Sequence, residues 1–265
     1  MAKYSKALYF LPSIFTLSSV FCAFLAITYC LLSQNMGAEP DAYYPRMMSA
    51  CLLVLLSVVF DTLDGRVARW TNTSTAFGMQ LDSLADAISF GVAPAVILYT
   101  FSLQELGIFG LIAAFAFCCG AILRLARFNV EAPSEGVQKY FKGLPSPAGA
   151  AVPVATIMLF IEYNIDELFK NNVVGLAILS VATGLLMVSN VRYKTMKGKE
   201  KPTSDYIFVI LGILLFTVVS IFESPIGGFF LLVVYFVLSG ILITIGVGFK
   251  HAWSSKRTPI DSDSL

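Results

Sequence analysis

The sequence predicts an all-α fold: a polytopic integral membrane bundle of about eight transmembrane helices, with both termini cytosolic. Three observations carry that reading. Of 265 residues, 57% are hydrophobic and only 13% charged, and the mean hydropathy is +0.78, which places the chain in the membrane class. Eight apolar runs are long enough to cross a bilayer, at about 11–33, 47–68, 77–100, 107–128, 148–164, 172–190, 205–222 and 226–249. With the N-terminus inside, sixteen of the eighteen Lys and Arg fall on the cytosolic side and only Arg46 and Lys170 outside, which sets the orientation by the positive-inside rule. There is no internal repeat, low-complexity tract or soluble domain, and the net charge of +1 says nothing about partners.

The first run is expected to stay as an anchor, because its apolar core is long and no small-residue cleavage site precedes Gln34. The second and third runs carry four acids within otherwise apolar sequence: Asp61, Asp64, Asp82 and Asp86. Asp61 and Asp64 are three apart and Asp82 and Asp86 four apart, so on helices each pair projects from one face. Two such faces turned together make a four-carboxylate cage. Ionised carboxylates in such surroundings need a positive partner, and hard divalent cations with oxygen ligands meet that need. Gly65, Ala68 and Gly78 remove bulk beside the acids and would let a substrate approach the backbone. The plain alternative is pairing with Arg66 and Arg69 at a helix end, but two arginines cannot neutralise four carboxylates.

The fourth run ends in Arg124-Leu125-Ala126-Arg127-Phe128-Asn129, whose arginines also satisfy the helix dipole and the positive-inside rule as simple anchors. Arg192 and Lys194 close the sixth run as anchors or phosphate ligands. Residues 194–201 read as a solvated or headgroup-facing loop. Cys22, Cys30, Cys51, Cys118 and Cys119 lie in apolar runs without Cys-x2-Cys spacing and read as small core residues. His251, the only histidine, sits in a polar tail, which argues against histidine-based catalysis. The chain thus divides into a six-helix core (1–190), a cytosolic loop with two further helices (191–249) and a short mobile cytosolic tail (250–265).

The pattern Asp61-x2-Asp64-Gly65-x2-Ala68-Arg69-x8-Gly78-x3-Asp82-x3-Asp86 resembles the full signature of the CDP-alcohol phosphotransferases, integral membrane enzymes of phospholipid synthesis. Eight residue types at fixed spacing make this far more specific than a lone short motif. The start of the first run, Leu11-Pro12-Ser13-Ile14-Phe15-Thr16-Leu17-Ser18-Ser19, is similar to the family's opening, where Asn is usual at the positions of Ser13 and Ser19. Three stretches resemble the phosphatidylserine synthase branch: Ser89-Phe90-Gly91 with Pro94, Arg124 to Asn129, and Phe141-Lys142-Gly143-Leu144-Pro145-Ser146-Pro147. The glycerophosphate-transferring branch typically has Lys after the last Asp, where this chain has Ala87. The branch resemblance covers residues 11 to about 150.

The resemblance implies transfer of the phosphatidyl group of CDP-diacylglycerol to the hydroxyl of L-serine, with CMP leaving. It implies two divalent cations per site, Mg2+ or Mn2+, on Asp61, Asp64 and Asp82, with Asp82 reaching both and Asp86 bordering them as a further ligand and the general base. Gly65, Ala68, Gly78 and Thr16 would receive the nucleotide, and Arg69 its phosphates. Arg124 and Arg127 would clamp the serine carboxylate, with Asn129 adding a hydrogen bond. A homodimer among membrane lipids is implied, in the inner membrane of a prokaryote with the active site at the cytosolic face and no nucleic-acid partner. Rival readings are another alcohol acceptor in the same family, a membrane prenyltransferase, or a divalent-cation transporter. Prenyltransferase acidic motifs lie far apart, whereas these four acids fall within 26 residues. A transporter would spread its acids over several helices near mid-membrane.

Overall fold

The computed structural model describes residues 6–34, 42–71, 75–131, 140–164, 173–194 and 203–255. Helices α1 (Lys6–Gln34) and α2 (Tyr43–Thr71) form an antiparallel pair. On α1 the buried residues Thr16, Ser19, Ala23, Ala26, Cys30 and Ser33 advance in steps of three and four. On α2 the same steps run Met47, Ala50, Val54, Ser57, half-buried Asp61 and buried Asp64. Each stripe is one helix face, and the small residues on both let the backbones approach closely. Thr16 bonds Asp64 at one end of the pair and Ser33 contacts Met47 Sδ at 3.5 Å at the other, which pins the register.

The third span, Ala76–Phe101, has three parts. These are α3 (Ala76–Asp86), a π-helical turn (Ala87–Val92) and α4 (Ala93–Phe101). Pro94 explains the turn. It has no N–H, and its ring crowds the carbonyl four residues back, so the chain widens and the Ala93 N–H reaches Ile88, five back. Thr75 caps α3: its backbone is extended (φ −122°, ψ 155°) and its Oγ1 accepts from the Gly78 N–H at 2.9 Å.

After a 3-10 turn (Leu103–Leu106) come α5 (Ile108–Glu131), α6 (Ser146–Glu162), α7 (Val173–Val188), α8 (Thr203–Phe222) and α9 (Pro225–Ser255). Helix α5 crosses α7 where Gly120 faces Gly184, so closely that a Cβ on either would strike the other helix's backbone. Phe90, Ile97, Leu98, Phe117 and Ile157 fill the centre between α4, α5 and α6.

The helical membrane class agrees with the sequence, and two details are finer than the sequence shows. Among the described residues, five helical spans are long and apolar enough to cross a membrane, while Ser146–Glu162, Val173–Val188 and Val209–Phe222 are apolar but shorter. The helical bundle also carries a small antiparallel pair, β1 (Tyr140–Lys142) with β2 (Arg192–Lys194), in the register Tyr140↔Lys194, Phe141↔Tyr193, Lys142↔Arg192. Three-residue strands are too short to announce themselves by alternation. Tyr193, 1% exposed, seats on α9 with its ring stacked 5.5 Å from that of Phe236, and burial pushes its hydroxyl up to about 12. A Cβ at Gly240 would strike this ring. Helix α9 continues through Ser255, past the Lys250 where the sequence places its end; residues 195–202 and 256–265 lie outside the described residues.

Hydrogen bonds close the end of the bundle away from the acids. The Thr100 carbonyl accepts from Gln34 Nε2 (3.3 Å), the Tyr43 hydroxyl (3.3 Å) and Gln104 Nε2 (3.1 Å). The Tyr43 hydroxyl also lies 3.2 Å from the Phe101 carbonyl, and Arg46 Nη1 donates to Leu32 at 3.0 Å. These are the last-turn carbonyls of α4 and α1, which have no partner within their own helices.

Candidate active site

The inward stripe of α2 ends at Asp61 and Asp64, and the first turns of α3 bring Asp82 opposite them. One carboxylate oxygen from each of the three lies within 4.8 Å of the others. Oxygens bound at about 2.1–2.4 Å to a shared cation sit at most about twice that distance apart, so this all-oxygen set fits a hard divalent ion as it stands. Asp86, one turn beyond Asp82, stands beside Asp61, and the charge of Arg124 acts on it from beyond ion-pair distance. Among the described residues, no ion pair within 4.0 Å joins the four acids to Arg66 or Arg69. Helix-end neutralisation by those arginines therefore does not explain the acids.

Beside the acids opens a cleft of about 190 Å³. Thr16 of α1, Asp64, Gly65, Ala68 and Arg69 of α2, and Gly78 and Asp82 of α3 all line it, with Pro12, Ser13, Thr75 and Met79 completing the wall. Thr16 Oγ1 donates to Asp64 Oδ2 at 2.7 Å and lies 3.1 Å from the Pro12 carbonyl. The two glycines differ. A Cβ at Gly65 would meet only Arg69 Nη1, at 3.9 Å, so packing leaves room for a side chain there. At Gly78 it would stand 3.2 Å from Thr75 Oγ1 and crowd the cap. Ser19, where Asn is usual, is buried with its hydroxyl 3.1 Å from that of Ser89 on the π-helical turn. That bond ties α1 to the segment following Asp86.

The three polar residues expected at the end of α5 have separate surroundings. Arg124 Nη1 donates to the buried Ser146 hydroxyl at 2.8 Å, and its guanidinium lies 5.7 Å from the Phe128 ring centroid. The Arg127 fork is directed elsewhere: Nε to Glu131 at 2.9 Å, Nη1 to the Val188 carbonyl at 3.2 Å and Nη2 to Asn190 at 2.8 Å. Asn129 Nδ2 donates to Ser83 of α3 at 2.9 Å. Sequence reasoning missed Thr75 and Ser146. A Thr directly before a helical run is a readable cap signal. Ser146 lies in the Phe141–Pro147 stretch, but its role carries no local signal, because its partner lies 22 residues away.

Comparison with known proteins agrees with this geometry. The CDP-alcohol phosphatidyltransferase family profile matches residues 9–188. A CDP-diacylglycerol–serine O-phosphatidyltransferase of Helicobacter pylori is 36% identical over 209 residues, covering 77% of this chain and 80% of that protein. One of the same name from Methanocaldococcus jannaschii is 42% identical over 154 residues, covering 58% and 67%. An archaetidylserine synthase of Methanothermobacter thermautotrophicus is 40% identical over 158 residues, covering 59% and 62%. A family match over most of the chain, together with the clustering of its signature acids beside one cleft, means that this chain belongs to the CDP-alcohol phosphatidyltransferase family.

Proposed function

We propose that the chain transfers the phosphatidyl group of CDP-diacylglycerol to the hydroxyl of L-serine, giving phosphatidylserine and CMP. The observation that carries this is the clustering of Asp61, Asp64 and Asp82 beside one cleft, with Asp86 next to Asp61. Serine is favoured as acceptor because the relatives named above are all named for serine products or substrates. Those names differ in the lipid, so the acceptor is the firmer half of the proposal.

In this reading Asp61, Asp64 and Asp82 would hold two divalent cations, Mg2+ or Mn2+, with Asp86 at their border. Divalent cations there supply charge neutralisation for the diphosphate and Lewis acidity at the oxygen that leaves with CMP. Thr16 orients Asp64 by hydrogen bonding, and Gly65 and Ala68 leave the floor of the cleft open to the nucleotide. Arg69 offers a fork of donors to the phosphates, while Gly78 keeps the α3 cap intact beside them. Asp86 accepts the proton of the serine hydroxyl as that oxygen bonds to the phosphatidyl phosphorus and the bond to CMP breaks. Arg124 meets the serine carboxylate, with Arg127 and Asn129 framing that end of α5.

All eight apolar helices cross the inner membrane of a prokaryote in this proposal, with both termini and the acids cytosolic and the protein acting as a homodimer. Helices α6 and α7, with 17 and 16 residues, span about 25 Å, so the bilayer would thin locally around them. The test is an acceptor screen: purified protein in lipid with CDP-diacylglycerol, a divalent cation, and serine, inositol, glycerol 3-phosphate or inositol phosphate. CMP release with serine alone is expected. Release with another alcohol and not serine overturns the acceptor, and metal uptake into liposomes without nucleotide turnover overturns the enzyme.

A further inference from the structure

The segment before α6 is anchored with unusual completeness for a loop. The Gly143 N–H donates to the Val191 carbonyl at 2.8 Å and the Leu144 N–H to the Leu186 carbonyl at 3.1 Å. Gly143 has φ +80°, and a Cβ there would strike the Met187 carbonyl, so only glycine lets the chain pass this close to the end of α7. Leu144 is fully buried, and the bonds from Arg127 to Val188 and Asn190 tie that same end of α7 to α5. The loop and α5 are therefore fixed relative to each other before any substrate arrives. The residue this mount delivers is Ser146, fully buried, with its hydroxyl 2.8 Å from Arg124 Nη1.

Arg124 is also a cation whose charge acts on Asp86, from beyond ion-pair distance. A guanidinium carries five N–H donors in a rigid plane. The donor held by Ser146 and the face laid near Phe128 fix that plane, and the remaining donors have no hydrogen-bond partner among the described residues. Without the Ser146 bond, the long Arg side chain would have to be ordered by the ligand itself, and affinity would fall. We infer that Ser146 is the positioning residue for acceptor recognition: it holds Arg124 so that the open edge of the guanidinium receives the carboxylate of an amino-acid acceptor beside Asp86. This rests on the proposed serine transfer and gives a role to a residue outside the aspartate signature.

The test compares wild type, Ser146→Ala and Ser146→Thr in lipid with CDP-diacylglycerol and a divalent cation. The acceptors are L-serine and L-serinamide, which keeps the hydroxyl and amine but replaces the carboxylate with a neutral amide. Loss of one charge-assisted bond is expected to raise KM for serine in Ser146→Ala roughly tenfold. The preference for serine over serinamide should shrink by a similar factor, KM for CDP-diacylglycerol should stay unchanged, and Ser146→Thr should restore both. A serine-to-serinamide preference in Ser146→Ala equal to wild type overturns the inference while leaving serine transfer in place. A general loss that affects both acceptors and the donor alike also overturns it, since that is what a packing defect would give. Wild type that releases no CMP with serine overturns the underlying reading and the inference with it.

Discussion

The two ends of the helical bundle solve opposite problems. At one end Gln34, Tyr43, Arg46 and Gln104 all donate to last-turn carbonyls, so polar side chains there serve the backbone and the helices are locked. At the other end Asp61, Asp64, Asp82 and Asp86 face one another. Among the described residues, Asp64 takes a hydroxyl hydrogen bond from Thr16, and no Lys or Arg forms an ion pair within 4.0 Å with any of the four. Like charges held this close oppose folding, so the first end is where stability is made and the second is where it is surrendered to chemistry.

The largest expected effect comes from Asp82→Ala. Removal of a proposed direct ligand should lower CMP release by more than about a hundredfold, while the melting temperature in chelator holds level or rises because one of the facing charges is gone. Activity within a few fold of wild type, or a lower melting temperature without metal, would break the contrast between the ends. Next, Asp86→Asn keeps the shape but removes the proton acceptor. Turnover should fall by about a hundredfold to ten-thousandfold with CDP-diacylglycerol binding retained, and retained single-turnover CMP release would remove Asp86 from the role of base.

Arg127 sharpens the comparison, since it lies at the chemical end yet behaves like a residue of the other. Arg127→Gln should destabilise by about 1–2 kcal/mol through the lost ties to Glu131, Val188 and Asn190, read as a lower melting temperature with KM for serine unchanged. A raised KM with unaltered melting would return Arg127 to the acceptor site. The smallest effect is expected at the locked end, where Tyr43→Phe should cost about 1 kcal/mol and leave CMP release untouched. A loss of activity there would mean that the two ends are coupled.

The sequence made the acids, their pairing by helical spacing and the apolar runs legible, because each is a local pattern. It also held more than spacing alone suggests. The steps Met47, Ala50, Val54, Ser57 lead without a break to Asp61 and Asp64, and Gly110, Ala113, Phe117, Gly120 lead in the same way to Arg124. The functional residues are thus the last members of inward stripes, and which face they occupy is readable. What they meet is not. Ser146 and Arg124, Arg127 and Asn190, and Tyr193 and Gly240 are brought together by packing across intervening helices or loops, and no periodicity encodes such encounters. The strand pair escaped for a related reason, since its two segments lie on either side of α6 and α7.

The π-helical turn after Asp86 amounts to an angular offset written into the chain. An α-helix advances about 100° per residue, and a π turn takes up one residue more than an α turn. Everything before Ala87 is therefore rotated relative to α4 by the equivalent of that surplus residue. Helix α4 is aimed by its core contacts at Ile97 and Leu98, and α3 is aimed by where Asp82 must point, so the two demands need not share a helical phase. The turn reconciles them. Along one continuous span, the same heptad position faces the hydrophobic centre on one side of the turn and a different azimuth on the other, and a straight α-helix could satisfy only one of the two.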